Sequence, residues 1–188
     1  MIVILAGLPG TGKSALARAL AQRLPGAVLD KDVIRAALFQ PAYVEYSLAQ
    51  DDFCQEIMLK TAAYLLAMDA QLPILLDGRT FSRRYQRERV VEFCRQVGAV
   101  WSTLECVCAE ETALRRLTEA VVRNTHPAHN RTPELYRQMR EGWEPIGGPK
   151  LVIDTDASRD SCVEQALHYL RRRGVPQFGA RMTDSSFE

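Results

Sequence analysis

Five short, continuously apolar segments recur along the chain, and each is followed by a longer segment whose apolar residues have helical spacing. Continuous apolar runs rich in branched side chains are typical of strands buried on both faces, as in a parallel sheet. Helices between such strands cross over and cover both faces of the sheet. The strand-like segments are MIVILAG, AVLD, PILLDG, AVWSTLECV and KLVIDTD. The sequence therefore predicts an α/β fold, a three-layer sandwich around a five-stranded parallel sheet.

The length of the chain indicates one domain. A chain of 188 residues is long enough to bury one substantial core, and no repeat or linker divides it. We expect residues 1–173 to form this domain. The polar, Gly- and Pro-rich residues 174–188 are expected to be a partly disordered tail.

A glycine-rich loop follows the first strand and opens the first helix. In this context glycines let backbone N–H groups wrap around phosphates, and the helix N-terminus faces the negative charge. Lys13 can reach the outer phosphates, and the Ser14 hydroxyl can bind Mg²⁺. The sequence thus predicts that ATP and Mg²⁺ bind here. The loop residues are Gly7, Leu8, Pro9, Gly10, Thr11, Gly12, Lys13 and Ser14.

Asp77 ends the apolar segment PILLD. A carboxylate at the carboxyl end of a buried parallel strand can face the metal ion or its water shell beside the loop. We therefore predict Asp77 as a second metal-binding residue. The alternative is that Asp77 only caps a turn with Gly78.

The segment LDKDVIRAAL lies at the carboxyl end of the second strand, where open parallel sheets bind ligands. Asp32 is a candidate general base that accepts a proton from an attacking hydroxyl. Arg35 lies one helical turn later and could hold an anionic group of the acceptor. The residues leave a second interpretation open, in which Asp30 or Asp32 caps the helix and Arg35 is a solvated partner.

Two groups of arginines follow. Arg116 and Arg123 lie on one face of a helix that precedes a loop, and could close over the γ-phosphate; a basic solvent-facing helix is the alternative. The second group belongs to GRTFSRRYQRERV, for which a charged helix face is favoured over a binding patch for a polyanion. Ser82 is the predicted N-cap of this helix. The second group is Arg79, Arg83, Arg84, Arg87 and Arg89.

Composition argues against several classes of partner. The net charge of +1 provides no general attraction to nucleic acid or to an anionic membrane. No apolar run approaches the roughly 20 residues of a membrane-spanning helix, and the N-terminus lacks the features of a signal peptide.

The five cysteines have no metal-binding spacing and are interpreted as buried thiols. We expect a cytoplasmic location.

Four segments together resemble a known group of enzymes: GLPGTGKS, LDKDVIRAALF, ILLDGRTFSRRYQRERV and TPELYRQMREGWEPI. From about Met1 to Arg173, the chain is similar to the small P-loop kinases of the zeta-toxin, polynucleotide-kinase and chloramphenicol-phosphotransferase type. The resemblance implies a nucleoside-monophosphate-kinase-like sheet in the order 2-3-1-4-5, with MgATP as donor and a hydroxyl acceptor. It also implies that Asp32 is the general base, that Arg35 binds the acceptor, and that Arg116 and Arg123 belong to a mobile lid at about residues 115–131.

The sequence therefore predicts an ATP-dependent phosphotransferase that acts on a hydroxyl of a small molecule. The acceptor is expected between Asp32, Arg35 and Arg79, and the nucleobase near residues 154–156. One alternative is a polynucleotide or RNA hydroxyl kinase, although strand binding usually needs a basic groove with aromatic platforms. Another is a nucleotide-binding regulatory or toxin module.

Overall fold

The computed structural model describes residues 1–123 and 132–175. The strands are β1 (Ile2–Ala6), β2 (Ala27–Asp30), β3 (Ile74–Asp77), β4 (Trp101–Val107) and β5 (Lys150–Asp154). The helices are α1 (Lys13–Ala21), α2 (Lys31–Leu38), α3 (Leu48–Met68), α4 (Arg84–Gln96), α5 (Glu110–Arg123), α6 (Pro133–Glu141) and α7 (Arg159–Arg172). A short 3₁₀ helix (Pro41–Tyr43) connects α2 to α3.

The strands form one parallel sheet in the order β2-β3-β1-β4-β5. This is the predicted order, with β1 at the centre and every residue of β1 buried. Because all strands run the same way, their carboxyl ends meet at one edge of the sheet. The glycine-rich loop after β1 and the ends of β2 and β3 lie at that edge.

Two apolar cores cover the two faces of the sheet. Alternate residues of β1 point to opposite sides: Val3 and Leu5 pack with α1 and α7, whereas Ile2 and Ile4 pack with α3 and α4. Each core is built from several fully buried aliphatic side chains, and burying one such side chain contributes about 1.5–3 kcal/mol. The three-layer sandwich predicted from the sequence is thus confirmed.

Side-chain caps fix where several helices begin. Asp30, Ser47, Thr132 and Ser158 each accept a backbone hydrogen bond at the start of the helix that follows, which satisfies N–H groups that the helix itself cannot. Asp30, and not Asp32, therefore caps α2.

The prediction of Ser82 as a helix cap is wrong. Helix α4 begins at Arg84, so the cap position falls on Arg83, whose backbone N–H donates to the Gln86 side chain at 3.2 Å. Ser82 is buried, and its hydroxyl accepts a hydrogen bond from Thr80 at 3.2 Å. A cap at Ser82 would need the helix to begin at residue 83, one residue earlier than it does.

Four of the five cysteines are buried, and all five are free thiols. Burial raises the pKa of the Cys94 and Cys106 thiols to about 12, so these side chains are unreactive at neutral pH.

Within residues 1–123 and 132–175, no helix is both long and apolar enough to cross a bilayer. Residues 124–131 of the predicted lid (115–131) and residues 176–188 of the predicted tail (174–188) lie outside the described residues.

Candidate functional site

The glycine-rich loop is held tightly against its neighbours. Gly7, Gly10 and Gly12 all have positive φ, at 145°, 79° and 81°, a conformation that side chains with a Cβ rarely adopt. A Cβ on Gly10 would lie 2.5 Å from the carbonyl oxygen of Ala113 in α5. The loop therefore wraps closely only because these positions are glycine.

Lys13 lies inside this loop. It is the first residue of α1 and is buried, and its ammonium group donates to the carbonyl oxygens of Gly7 and Leu8, each at 2.8 Å. The Thr11 hydroxyl donates to the same Leu8 oxygen at 2.7 Å. A cation and a helix N-terminus therefore meet at the glycine-rich loop, and these are the elements of an anion-binding cradle.

Asp77 provides the test of whether a metal ion fits beside the cradle. The residue is only 1% exposed, and its Oδ1 has no hydrogen-bond partner among the residues that the structure describes. Asp77 pairs in register with Asp30 of β2, and burial together with the Asp77 charge raises the pKa of Asp30. A buried carboxylate beside a second, half-buried one that it repels suits a divalent cation. Ser14, the second residue of α1, supplies the hydroxyl oxygen, so the donor set fits Mg²⁺.

Arg116 connects α5 to both the loop and β5. Its guanidinium donates to the Thr155 hydroxyl at 3.0 Å, to the Thr155 carbonyl at 2.8 Å and to the Gly10 carbonyl at 3.4 Å. A cavity of about 270 Å³ opens beside these groups, between α1 and the start of α7. It lies where the nucleobase was expected. Arg123 is the last residue of α5, about two turns beyond Arg116.

Asp32 and Arg35 form a buried ion pair. The Asp30 cap accepts from the backbone N–H of Asp32 at 2.8 Å, which fixes the first turn of α2. Arg35 Nη1 then donates to Asp32 Oδ1 at 2.8 Å, and the two residues are 3% and 2% exposed. The interpretation of Arg35 as a solvated side chain is therefore wrong.

Asp51 completes this cluster, and the sequence did not suggest it. Its carboxylate bonds Lys31 Nζ at 2.7 Å and also contacts Arg35 Nη2. Lys31 Nζ lies 3.3 Å from Asp32 Oδ1 as well. Asp51 is in the first turn of α3, and no local spacing links it to α2, so only the packing of α3 on α2 brings it here.

A single cleft, called the central cleft below, joins these groups to the glycine-rich loop. Its walls come from the loop, α2, α3, the turn after β3, and α6. Tyr46, which has a φ of 52°, places its ring 5.1 Å from the Arg35 guanidinium carbon. The residues lining the central cleft are Pro9, Lys13, Lys31, Asp32, Arg35, Tyr46, Asp51, Gly78, Thr80, Leu135 and Met139.

Arg79 does not line the central cleft. Its guanidinium, 2% exposed, donates to Gln55 Oε1 at 2.5 Å and to Asp52 Oδ1 at 2.6 Å. It also donates to the Asp51 carbonyl oxygen at 3.3 Å. Arg79 thus braces the start of α3, and its effect on the cleft is through the position of Asp51.

The rest of the arginine segment is also paired within the chain. Arg87, whose pKa is lowered by burial, donates to two backbone carbonyl oxygens. The favoured interpretation, a charged helix face without a polyanion site, agrees with these pairs. The side-chain pairs are Arg83 with Glu144, Arg84 with Glu88, and Arg89 with Asp52.

The comparisons with known proteins agree with this architecture. The profile of the AAA domain family (AAA_33) matches residues 2–146. No curated protein matches the sequence significantly.

Several solved structures share the fold. A Chloroflexus aurantiacus protein provisionally assigned as a kinase has 22% sequence identity and a TM-score of 0.71, over 89% of this chain and 97% of its own. The APS kinase of Mycobacterium tuberculosis, solved with AMPPNP and APS, has 19% identity and a TM-score of 0.67, over 90% and 96% of the two chains. A gluconokinase from Sinorhizobium meliloti has 18% identity and a TM-score of 0.63, over 91% of each chain.

The glycine-rich loop, the sheet order and the structural neighbours all indicate the same fold. The chain belongs to the AAA domain family, and its fold is that of the small P-loop kinases.

Proposed function

We propose that the protein transfers the γ-phosphate of MgATP to a hydroxyl group of a small molecule. The observation that carries the proposal is that one cleft is lined both by Lys13 of the phosphate cradle and by the buried pair Asp32 and Arg35. A donor phosphate and an acceptor hydroxyl would therefore meet in one cleft, and positioning of this kind is the main requirement of phosphoryl transfer.

In the proposed reaction, Asp32 orients the acceptor hydroxyl and takes its proton. The acceptor oxygen forms a bond to the γ-phosphorus, the bond between that phosphorus and the ADP oxygen breaks, and ADP leaves with the electron pair. Arg35 holds the Asp32 carboxylate in position through its 2.8 Å hydrogen bond. Lys13 and Arg116 supply positive charge on the donor side. Ser14 and Asp77 would hold Mg²⁺, which neutralises the phosphate oxygens when bound.

A polynucleotide hydroxyl kinase is the main alternative enzyme. Binding a nucleic-acid strand generally needs a basic groove that tracks the phosphates and aromatic side chains on which bases stack. Arg79, Arg84 and Arg89 instead form ion pairs within the chain. Because these arginines already pair with carboxylates of the chain, they do not form a basic groove for a strand, which supports a small-molecule acceptor.

The two enzymes, and a module that only binds nucleotide, are separated by one assay. The protein is incubated with γ-labelled ATP and either a mixture of small alcohols or a 5′-hydroxyl oligonucleotide. We expect acid-stable label in the small alcohols. Label in the oligonucleotide alone, with binding that weakens steeply with salt, would support the alternative enzyme. Tight ATP binding with no transfer to either would support the regulatory module.

A further inference from the structure

The charges in the central cleft point to the chemical class of the acceptor. Lys13 belongs to the donor side of the cleft, and on the acceptor side two further cations and two carboxylates meet, with each cation in contact with both carboxylates. Lys31 Nζ lies 2.7 Å from Asp51 and 3.3 Å from Asp32, while Arg35 donates to Asp32 at 2.8 Å and also contacts Asp51. The acceptor side of the cleft therefore has no net formal charge.

Asp51 occupies the position that an anionic substituent of an acceptor would need. Its Oδ1 bridges Lys31 and Arg35, which are the cations of α2 that face the cleft. A carboxylate, sulfate or phosphate on the acceptor would have to displace Asp51 or lie beside it. Placing like charges together in a recognition site is strongly unfavourable, and a displaced partner would leave a charge unpaired in a buried place.

The groups that line the remaining space suit hydroxyls. Asp51 lines the cleft, is 16% exposed at its side chain and can accept further hydrogen bonds. A hydroxyl can donate to this carboxylate without adding charge. Leu135 and Met139 lie one turn apart on α6 and give the cleft an apolar wall that a carbon skeleton can contact.

From this arrangement we infer that the acceptor is an uncharged polyhydroxy compound and that Asp51 is the residue that excludes anionic acceptors. One hydroxyl of the acceptor is phosphorylated at Asp32, and a second donates to Asp51. This inference rests on the proposed phosphotransfer. It differs from what the name of the APS kinase implies for that enzyme, whose acceptor is anionic.

The test separates the acceptors by charge before they are identified. A small-molecule extract of cells is passed over anion and cation exchangers, and the anionic, cationic and uncharged fractions are each incubated with the protein and γ-labelled ATP. We expect acid-stable label from the uncharged fraction. Label confined to the anionic or to the cationic fraction overturns the inference and leaves the phosphotransfer intact. If no fraction is labelled, the proposed phosphotransfer fails and the inference falls with it.

Asp51→Asn then tests the role of this residue. The amide keeps the shape of the side chain but leaves Lys31 and Arg35 with one negative charge fewer, so labelling of the anionic fraction should rise at least about tenfold relative to the uncharged fraction. Asp69→Asn makes the same change at the far end of α3 and should leave the ratio unchanged. A ratio for Asp51→Asn equal to that of Asp69→Asn, at equal ATP affinity, contradicts the exclusion role. The result for the unmodified protein decides the acceptor class even if Asp51→Asn does not fold.

Discussion

Arg35 Nη1 donates to Asp32 Oδ1 at 2.8 Å across a single turn of α2, and both side chains are almost completely buried. The pair joins a candidate proton acceptor to the residue that fixes its orientation. Because Arg35 also contacts Asp51 of α3, it connects two helices that meet in the central cleft. Replacing it should therefore affect both stability and catalysis.

Arg35→Met should lower the free energy of unfolding by about 3 kcal/mol, because removal of the arginine leaves the buried Asp32 carboxylate and the partly exposed Asp51 carboxylate with less compensating charge. Urea unfolding measures this change. Arg84→Met is the matched control: the Arg84 side chain is 79% exposed in its pair with Glu88, so its loss should change stability by less than about 1 kcal/mol. Equal stability of the two variants would show that the buried pair contributes little.

Gly10→Ala should abolish tight ATP binding. The new Cβ would meet the Ala113 carbonyl oxygen at 2.5 Å on a residue with φ of 79°, so the loop would have to move away from α5. Titration calorimetry with MgATP measures the loss. Gly147→Ala introduces a Cβ with no atom within 4 Å and should bind ATP normally. An unchanged affinity in Gly10→Ala would contradict the tight loop conformation.

Arg79 should behave as a structural residue rather than as a ligand of the acceptor. Its ion pair with Asp52, at 2.6 Å and with the Arg79 side chain 2% exposed, predicts that Arg79→Met and Asp52→Asn are coupled in stability by about 0.5–3 kcal/mol. A double-mutant cycle in urea measures the coupling. Additive effects on stability, together with an increased KM for the acceptor in Arg79→Met alone, would instead favour the cleft position expected from the sequence.

The raised pKa of Asp30 predicts that this residue makes the folded protein less stable as the pH rises. Burial and the nearby Asp77 charge make the folded protein hold the Asp30 proton more strongly than the unfolded chain does. The resulting stabilisation is present below the ordinary pKa of 3.8 and is lost as the pH rises through the folded value. Asn can still cap the helix but does not titrate. The stability of Asp30→Asn relative to the unmodified protein should therefore increase from acid to neutral pH. A difference that does not vary with pH would contradict the repulsion.

The thiols should react in a defined order. Four of the five cysteines are buried and Cys108 is the half-buried exception, so a thiol reagent at neutral pH should modify Cys108 first. Peptide mapping after brief labelling identifies the site. Cys94 and Cys106, with pKa values raised to about 12, should react only when the protein unfolds. Rapid labelling of Cys106 in the native protein would contradict its burial in the core.

Local patterns in the sequence were sufficient for the strands, the helices and the glycine-rich loop between β1 and α1. Each of these depends on residues that are close along the chain, such as a strand that leads into a loop. The burial of the Arg35 side chain depends on its contact with Asp51 of α3. It could therefore not be predicted from the residues of α2 alone.

Other features depended on contacts between distant elements. Arg79 follows β3 directly and was expected in the cleft, but Asp52 and Gln55 of α3 draw its guanidinium away. Asp51 was missed for the same reason, because an acidic residue in the first turn of a helix is ordinary. Ser82 is not the cap because α4 begins at Arg84. The Gln86 side chain, one turn into the helix, accepts from the Arg83 N–H and so fixes the cap position at Arg83.

The most direct test of phosphoryl transfer by this cleft compares the unmodified protein with Asp32→Asn. Transfer of label from γ-labelled ATP to the small-molecule mixture is measured alongside MgATP affinity, with Asp69→Asn as a control for the substitution. We predict that Asp32→Asn lowers transfer by about 10²–10⁴-fold while its MgATP affinity stays within about threefold. Transfer by Asp32→Asn at the rate of the control would contradict the account.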